Sequence, residues 1–221
     1  MKVLALTERE LLNFFINDIG TTAYIHYDFN EVDFYEVANK NNSYIVFVCQ
    51  QGQIGKQLKT IKSFLEKGQR NLERVILFSK SEILNNELKD KIILSNKISQ
   101  FNTDIIFSCD NSKISSILDK NEVIYEYSNC ISKKRPGINS DIINNLNTFR
   151  LQGYNALNVN AIEVIQSCEK LSIGFNFIQY TTDFIDLNHN ANEINWKSRK
   201  RKLVKSRYIV LLLDEILKRE E

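Results

Sequence analysis

The residues best placed to do chemistry stand at the end of a short apolar run. Phe175, Phe177 and Ile178 supply a β-rich segment closing on Thr181-Thr182-Asp183, which delivers a carboxyl group to a strand's C-terminal end. In open α/β sheets ligands bind at that end. A carboxyl group held against a reacting atom can give or take its proton. The plainer use of an aspartate there is to cap a turn. Glu8 and Glu10 open a helical pattern near the amino terminus, where acidic side chains also suit the helix dipole. Gly52-Gln53-Ile54-Gly55-Lys56 places glycine before lysine. A nucleotide-phosphate loop would also need glycine five residues ahead of Gly55 and Ser or Thr after the lysine. Gln50 and Gln57 stand at those places, which argues against such a loop. His26 and His189 are solitary, with no partner at metal-ligand spacing, and no metal site is expected.

These residues need a frame. Ahead of Asp183, Ala161, Val164, Ile165 and Cys168 recur at helical spacing, and Gly174 breaks the pattern. Strand-like runs fall at 2–6, 23–27, 43–49, 74–78, 91–94, 103–108, 122–127, 155–159 and 174–181. Helix-like runs fall at 8–17, 55–67, 111–118, 139–150, 161–171 and 196–219. Such alternation predicts an α/β architecture around a mostly parallel sheet. One proline and seven glycines leave little room for a flexible linker, so residues 1–221 are expected to form a single domain. Pro136-Gly137 marks a loop within 128–140.

With 43% hydrophobic residues and a net charge of +2, nothing in the composition selects nucleic acid or membrane as a partner. The apolar runs fall short of a membrane span, and no charged-then-apolar leader precedes Val3. A soluble, cytoplasmic protein is expected. Cys49, Cys109, Cys130 and Cys168 lie far apart, as reduced structural thiols do. Residues 197–207 hold seven basic side chains and open a final helix with an apolar face from Leu203 to Ile216. They read as a solvated helix face. Nucleic acid stays a minor alternative through charge pairing with phosphates, since no recognition motif accompanies the segment.

The stretch LNVNAIEVIQSCEKLSIGFNFIQYTTD, Leu157 to Asp183, resembles the C-terminal signature of the nucleoside phosphorylase and nucleosidase superfamily. There a strand ends in Met-Glu, a helix follows, and the next strand ends in Ser-Asp. Other segments match in the same order. Met1 to Leu6, followed by Glu8-Arg9-Glu10-Leu11-Leu12, looks like the family's first strand and acidic first helix. Ser43 to Val48, running into Gly52-Gln53-Ile54-Gly55-Lys56, looks like its strand and Gly-Ile-Gly-Lys turn. Arg74 to Phe78 matches the strand before its ligand loop, and Lys89 to Leu94 its Gly-Asp-Ile-Val-Val strand. The resemblance implies a three-layer α/β/α fold with a mixed, partly barrel-like central sheet, and a homodimer by default. It implies that Asp183 protonates the departing base, and that Glu10, or Glu8 with a two-residue gap, activates water. Val159 and Asn160 would contact substrate at the strand end, with Ser79 and Lys80 bordering it where the ligand loop should lie. No cofactor is implied, and phosphate enters only as a co-substrate.

Two departures bear on function. Asn160 stands where the family has its ribose-binding glutamate, and a neutral carboxamide makes a weaker bond than a charged acceptor. Glu163, one turn on, could substitute if the alignment slips by three residues. After Phe78 the family places a glycine-rich loop, whereas Ser79-Lys80-Ser81-Glu82-Ile83-Leu84 contains no glycine, so backbone cannot approach a ligand as closely. The expectation is a divergent nucleosidase or nucleoside phosphorylase acting on a purine-type nucleoside. The alternative is a catalytically inactive relative serving as a nucleoside or nucleotide sensor or an interaction scaffold. Burial of Glu82, Ile83 or Leu84 in the would-be pocket would favour the scaffold.

Overall fold

A computed structural model describes residues 1–18, 23–38, 43–89, 91–133, 140–184 and Leu217. In chain order the elements are β1 (Lys2–Leu6), α1 (Arg9–Asp18), β2 (Ala23–Phe29), β3 (Val32–Ala38), β4 (Ser43–Val48), α2 (Ile54–Lys67) and β5 (Arg74–Ile83). A 3-10 turn (Asn86–Leu88), β6 (Ile92–Leu94), β7 (Lys97–Gln100), β8 (Ile106–Ser108), α3 (Ser112–Lys120), β9 (Tyr125–Tyr127) and β10 (Asn129–Ser132) follow. The last are α4 (Ser140–Leu151), β11 (Tyr154–Asn158), α5 (Ala161–Leu171) and β12 (Gly174–Phe184). The expected helix at 196–219, the basic residues 197–207, Pro136-Gly137 and His189 lie outside the described residues, apart from Leu217.

The chain gathers into two compact units. Unit 1 takes Met1–Phe78, Glu163–Asn176 and Lys205–Glu221; unit 2 takes Ser79–Ile162 and Phe177–Val204. In unit 1, β4, β1 and the Arg74–Phe78 half of β5 pair in parallel, while β3 joins β4, and β2 joins β3, antiparallel. The parallel strands read as unbroken apolar runs because both faces are covered: Val3 to Leu6 and Ile45 to Phe47 are fully buried. Ile54, Leu58, Ile61 and Leu65 form the buried stripe of α2 at helical spacing. Each such side chain contributes about 1.5–3 kcal/mol of transfer free energy. Phe64 of the same helix packs its ring on Tyr27, Phe29 and Phe34 of the β2–β3 hairpin.

That hairpin holds a strand the sequence pattern hid. Val32 and Phe34 are buried with Asp33 exposed between them, yet the turn before them, Asn30-Glu31, lacks the usual glycine. Both turn residues take positive φ (51° and 63°), as a two-residue hairpin turn matching strand twist requires. Glu31 reaches Lys56 Nζ at 2.7 Å.

In unit 2, β7, β10 and β11 run parallel, β8 joins β7 antiparallel, and the Ser79–Ile83 half of β5 joins β11 antiparallel. A second ladder pairs β12 antiparallel to β6, and β6 parallel to β9. β7 and β10 have only four residues each, too few for a period to register, and their ladder partners define them. Leu84, Ile131, Leu146 and Leu157 form a buried cluster against Phe101, Phe149 and Tyr154. The sequence expectation of a loop after Phe78 is corrected here. β5 continues to Ile83, with Ala156 opposite Ile83 and Leu157 opposite Glu82.

Candidate functional site

The C-terminal ends of β10 and β11, with the second half of β5, hold a connected set of polar side chains in unit 2. Asn158 is its hub and is 2% exposed. Its Oδ1 accepts the N–H groups of Asn160 and Ala161 at 2.9 and 2.8 Å. Its Nδ2 donates to Ser79 Oγ (2.7 Å), Lys80 O (2.9 Å) and Ser81 Oγ (3.2 Å). Ser132 Oγ accepts the N–H of Ile162 at 3.0 Å. The opening amides of α5, which no helical carbonyl can reach, are thereby satisfied from inside the protein.

The network continues away from this corner. Ser81 Oγ donates to Gln179 Oε1 at 2.6 Å, Gln179 Nε2 donates to Ser95 Oγ, and Ser95 Oγ donates to Ser128 O at 2.8 Å. Asn111 Nδ2 donates to Ser95 O at 2.9 Å, and its Oδ1 accepts the Phe177 N–H at 3.3 Å. Ser81, Ser95, Asn111 and Gln179 are almost fully buried. A buried polar chain completed this way fixes one register for the strands it joins.

The residues singled out in the sequence fare differently. Ser79 is buried; its Oγ accepts from Asn158 and donates to Lys80 O at 3.1 Å, so it is committed to the frame. Lys80 is exposed and Val159 half-buried. Asn160 is half-buried, and among the described residues its carboxamide makes no hydrogen bond. It stands one residue before α5, in the turn that Asn158 holds. Asp183 lies in β12, two residues beyond Thr181, whose Oγ1 donates to Leu88 O at 2.6 Å. The Asp183 side chain lies outside the described residues. Glu10 belongs to unit 1, exposed in the first turn of α1, while Leu11 and Leu12 beside it are buried. Ile83 and Leu84 are fully buried, Leu84 within the apolar cluster of Ile131, Leu146 and Leu157.

Glu163 is accounted for by a different task. In unit 1 its Oε2 accepts the Gly52 N–H and its Oε1 the Ile54 N–H, each at 2.9 Å. Gly52 holds φ +76°, the left-handed region open to glycine. The Gly-Ile-Gly-Lys turn therefore has a carboxylate of the same chain across its amides. That removes Glu163 as a stand-in for the ribose-binding glutamate.

Sequence reasoning passed over one charged pair. Lys133 follows β10, is 6% exposed, and sets its Nζ 3.3 Å from Glu82 Oε2, whose side chain is 35% exposed. The Lys133 N–H donates to Asn158 O at 2.9 Å, so this lysine sits against the Asn158 corner. In the sequence Lys133 stands beside Lys134 and Arg135 and was indistinguishable from a surface charge. Burial pushes the Cys109 thiol up to about 12, and raises Cys49 and Cys130 as well. A cavity of about 830 Å³, lined by Gln100, Phe101, Asn145, Phe149 and Tyr154 among others, also lies in unit 2. None of the candidate residues lines it. Among the described residues no three His, Cys, Asp or Glu side chains group as metal ligands. No helix among them is long and apolar enough to cross a membrane.

No family model matches the sequence, and no curated protein matches it. Solved structures do. The chain has the fold of the nucleoside phosphorylase and nucleosidase superfamily, an α/β fold with a mixed sheet. It is similar to Campylobacter jejuni 5′-methylthioadenosine/S-adenosylhomocysteine nucleosidase, with TM-score 0.76, 10% identity and 97% of each chain covered. It is similar to Helicobacter pylori futalosine hydrolase, with TM-score 0.73, 11% identity and 98% of each chain covered. A Borrelia burgdorferi protein assigned as a 5′-methylthioadenosine/S-adenosylhomocysteine nucleosidase and bound to adenine gives TM-score 0.73 at 15% identity, covering 98% of this chain and all of that one.

Proposed function

We propose that the protein cleaves the N-glycosidic bond of a purine-type nucleoside by hydrolysis. The observation that carries this reading is the Asn160 carboxamide, which stands half-buried at the C-terminal end of β11 and, among the described residues, makes no hydrogen bond, in a chain with the nucleosidase fold. A side chain with no partner among the described residues at the ligand edge of a strand, while the amides of Asn160, Ala161 and Ile162 are satisfied, suits a sugar hydroxyl. Asp183 protonates the departing base. Glu10, in unit 1, keeps the water-activating role that the sequence resemblance implies. Hydrolysis is favoured over phosphorolysis because the resemblance assigns Glu10 to water activation and no glycine-rich loop follows Phe78 to take a phosphate.

A second reading is a nucleoside-binding protein without turnover. The stretch Ser79 to Leu84, which carries no glycine where the family has its glycine-rich ligand loop, favours it. A product and thermal-shift screen with adenosine, inosine, uridine, methylthioadenosine and adenosylhomocysteine, each with and without phosphate, separates the two. Release of free base independent of phosphate is the expected result. Stabilisation without base release would establish the binding protein, and neither signal from folded protein would leave only a scaffold.

A further inference from the structure

The buried chain that leads away from the Asn158 corner arrives on the strand of Asp183. Gln179 lies in β12, four residues before Asp183, and is 0% exposed. Its Oε1 accepts from Ser81 Oγ at 2.6 Å, and Ser81 Oγ accepts from Asn158 Nδ2 at 3.2 Å. Asn158 Oδ1 in turn holds the Asn160 and Ala161 amides. At its other end Gln179 Nε2 donates to Ser95 Oγ, which donates to Ser128 O at 2.8 Å. All of these residues belong to unit 2. A carboxamide in a dry interior needs both ends bonded, and once bonded it gains little over an apolar side chain of the same shape. Phe177, Ile178 and Tyr180 on the same strand are buried, so an apolar residue at 179 would have suited the packing. What the glutamine adds is direction: its two bonds fit one placement of β12 against β5 and the Asn158 turn.

We propose that Gln179 is a positioning residue for the cleavage: through Ser81 and Asn158 it sets the spacing between the Asn160 turn and the strand of Asp183. The inference rests on the nucleoside reading, in which Asn160 meets the sugar and Asp183 the base. Neither group is touched by Gln179, and each would still meet its half of the substrate with the link cut. The two halves would no longer be held at one spacing. A misplacement of about 1 Å can cost about 10²-fold in rate. Cutting the link therefore lowers kcat and leaves KM nearly as it was.

Turnover of methylthioadenosine by the full chain, read with a melting curve on each preparation, tests this. Gln179→Met, similar in length but unable to bond both serines, is expected to lower kcat per folded molecule about 10- to 100-fold, with KM within about threefold. Ser81→Ala cuts the same link from β5 and should lower kcat in the same way, even where Gln179→Met does not fold. Combining the two should cost nothing further, because both remove one link. Gln179→Glu keeps an acceptor for Ser81 and, protonated as burial favours, a donor for Ser95, and should recover most of kcat. Variants that lose stability but keep kcat would overturn the inference and leave the nucleoside reading standing, and so would a raised KM at unchanged kcat. No base release by the unaltered chain would sink the nucleoside reading and the inference with it.

Discussion

Two strand-to-helix corners of this molecule solve one problem in opposite ways. Between β4 and α2, in unit 1, the turn amides of Gly52 and Ile54 are held by Glu163, more than a hundred residues away in sequence. Between β11 and α5, in unit 2, the amides of Asn160, Ala161 and Ile162 are held by Asn158 from within the turn and by Ser132 from the next strand. The first corner spends a charged side chain on structure and leaves nothing for a ligand. The second satisfies its backbone with neutral groups, and among the described residues the Asn160 side chain is left over. A glycine-rich turn thus marks a closed corner here, and a glycine-poor one the open corner.

The comparison can be broken at several points. Asp183→Asn should lower base release by about 10²–10⁴ with the fold retained, if the carboxyl is the general acid. Turnover kinetics and a melting curve on the same preparation decide it, and unchanged turnover removes Asp183 from the chemistry. Asn158→Ala should cost about 2–3 kcal/mol, since it strands buried amides and hydroxyls together. Denaturant unfolding reads this directly, and a loss below about 0.5 kcal/mol would mean that water replaces the hub. Glu163→Ala should cost about 1–3 kcal/mol by uncovering the α2 turn, with no new phosphate dependence. If phosphate restores its stability, the turn is an anion site that Glu163 merely occupies. Asn160→Ala should leave stability within about 0.5 kcal/mol yet weaken nucleoside binding about 2- to 10-fold, the worth of one neutral hydrogen bond. The reverse pattern would make Asn160 a frame residue.

Much of the frame was legible in the sequence, for reasons these corners make plain. β1 and β4 announce themselves because buried strands need unbroken apolar runs, β12 because Phe175, Phe177 and Ile178 are strand formers following Gly174, and α2 and α5 because an amphipathic helix repeats its apolar residues. β3 stayed hidden behind Asn30-Glu31, a turn of the right geometry without the glycine that usually signals it. The second half of β5 was hidden because Ser79 to Glu82 are polar, and their strand character comes from pairing with β11. The site was legible only in part. Motif order pointed to Asn160 and Asp183 as candidates. The uses of Ser79 and Glu163 are set by partners about 80 and 110 residues away, and so is that of Lys133 by Glu82, 51 residues away. No local pattern reports such distances.

The central claim is that the Asn160 corner binds a nucleoside for cleavage. It is tested most directly by following free adenine released from methylthioadenosine by the unaltered chain, Asp183→Asn and Asn160→Glu. The account predicts phosphate-independent release by the unaltered chain, its loss in Asp183→Asn, and a lower KM in Asn160→Glu, where a charged acceptor meets the ribose. Adenine release unaffected by either substitution would contradict it, because the chemistry would then reside elsewhere in the fold.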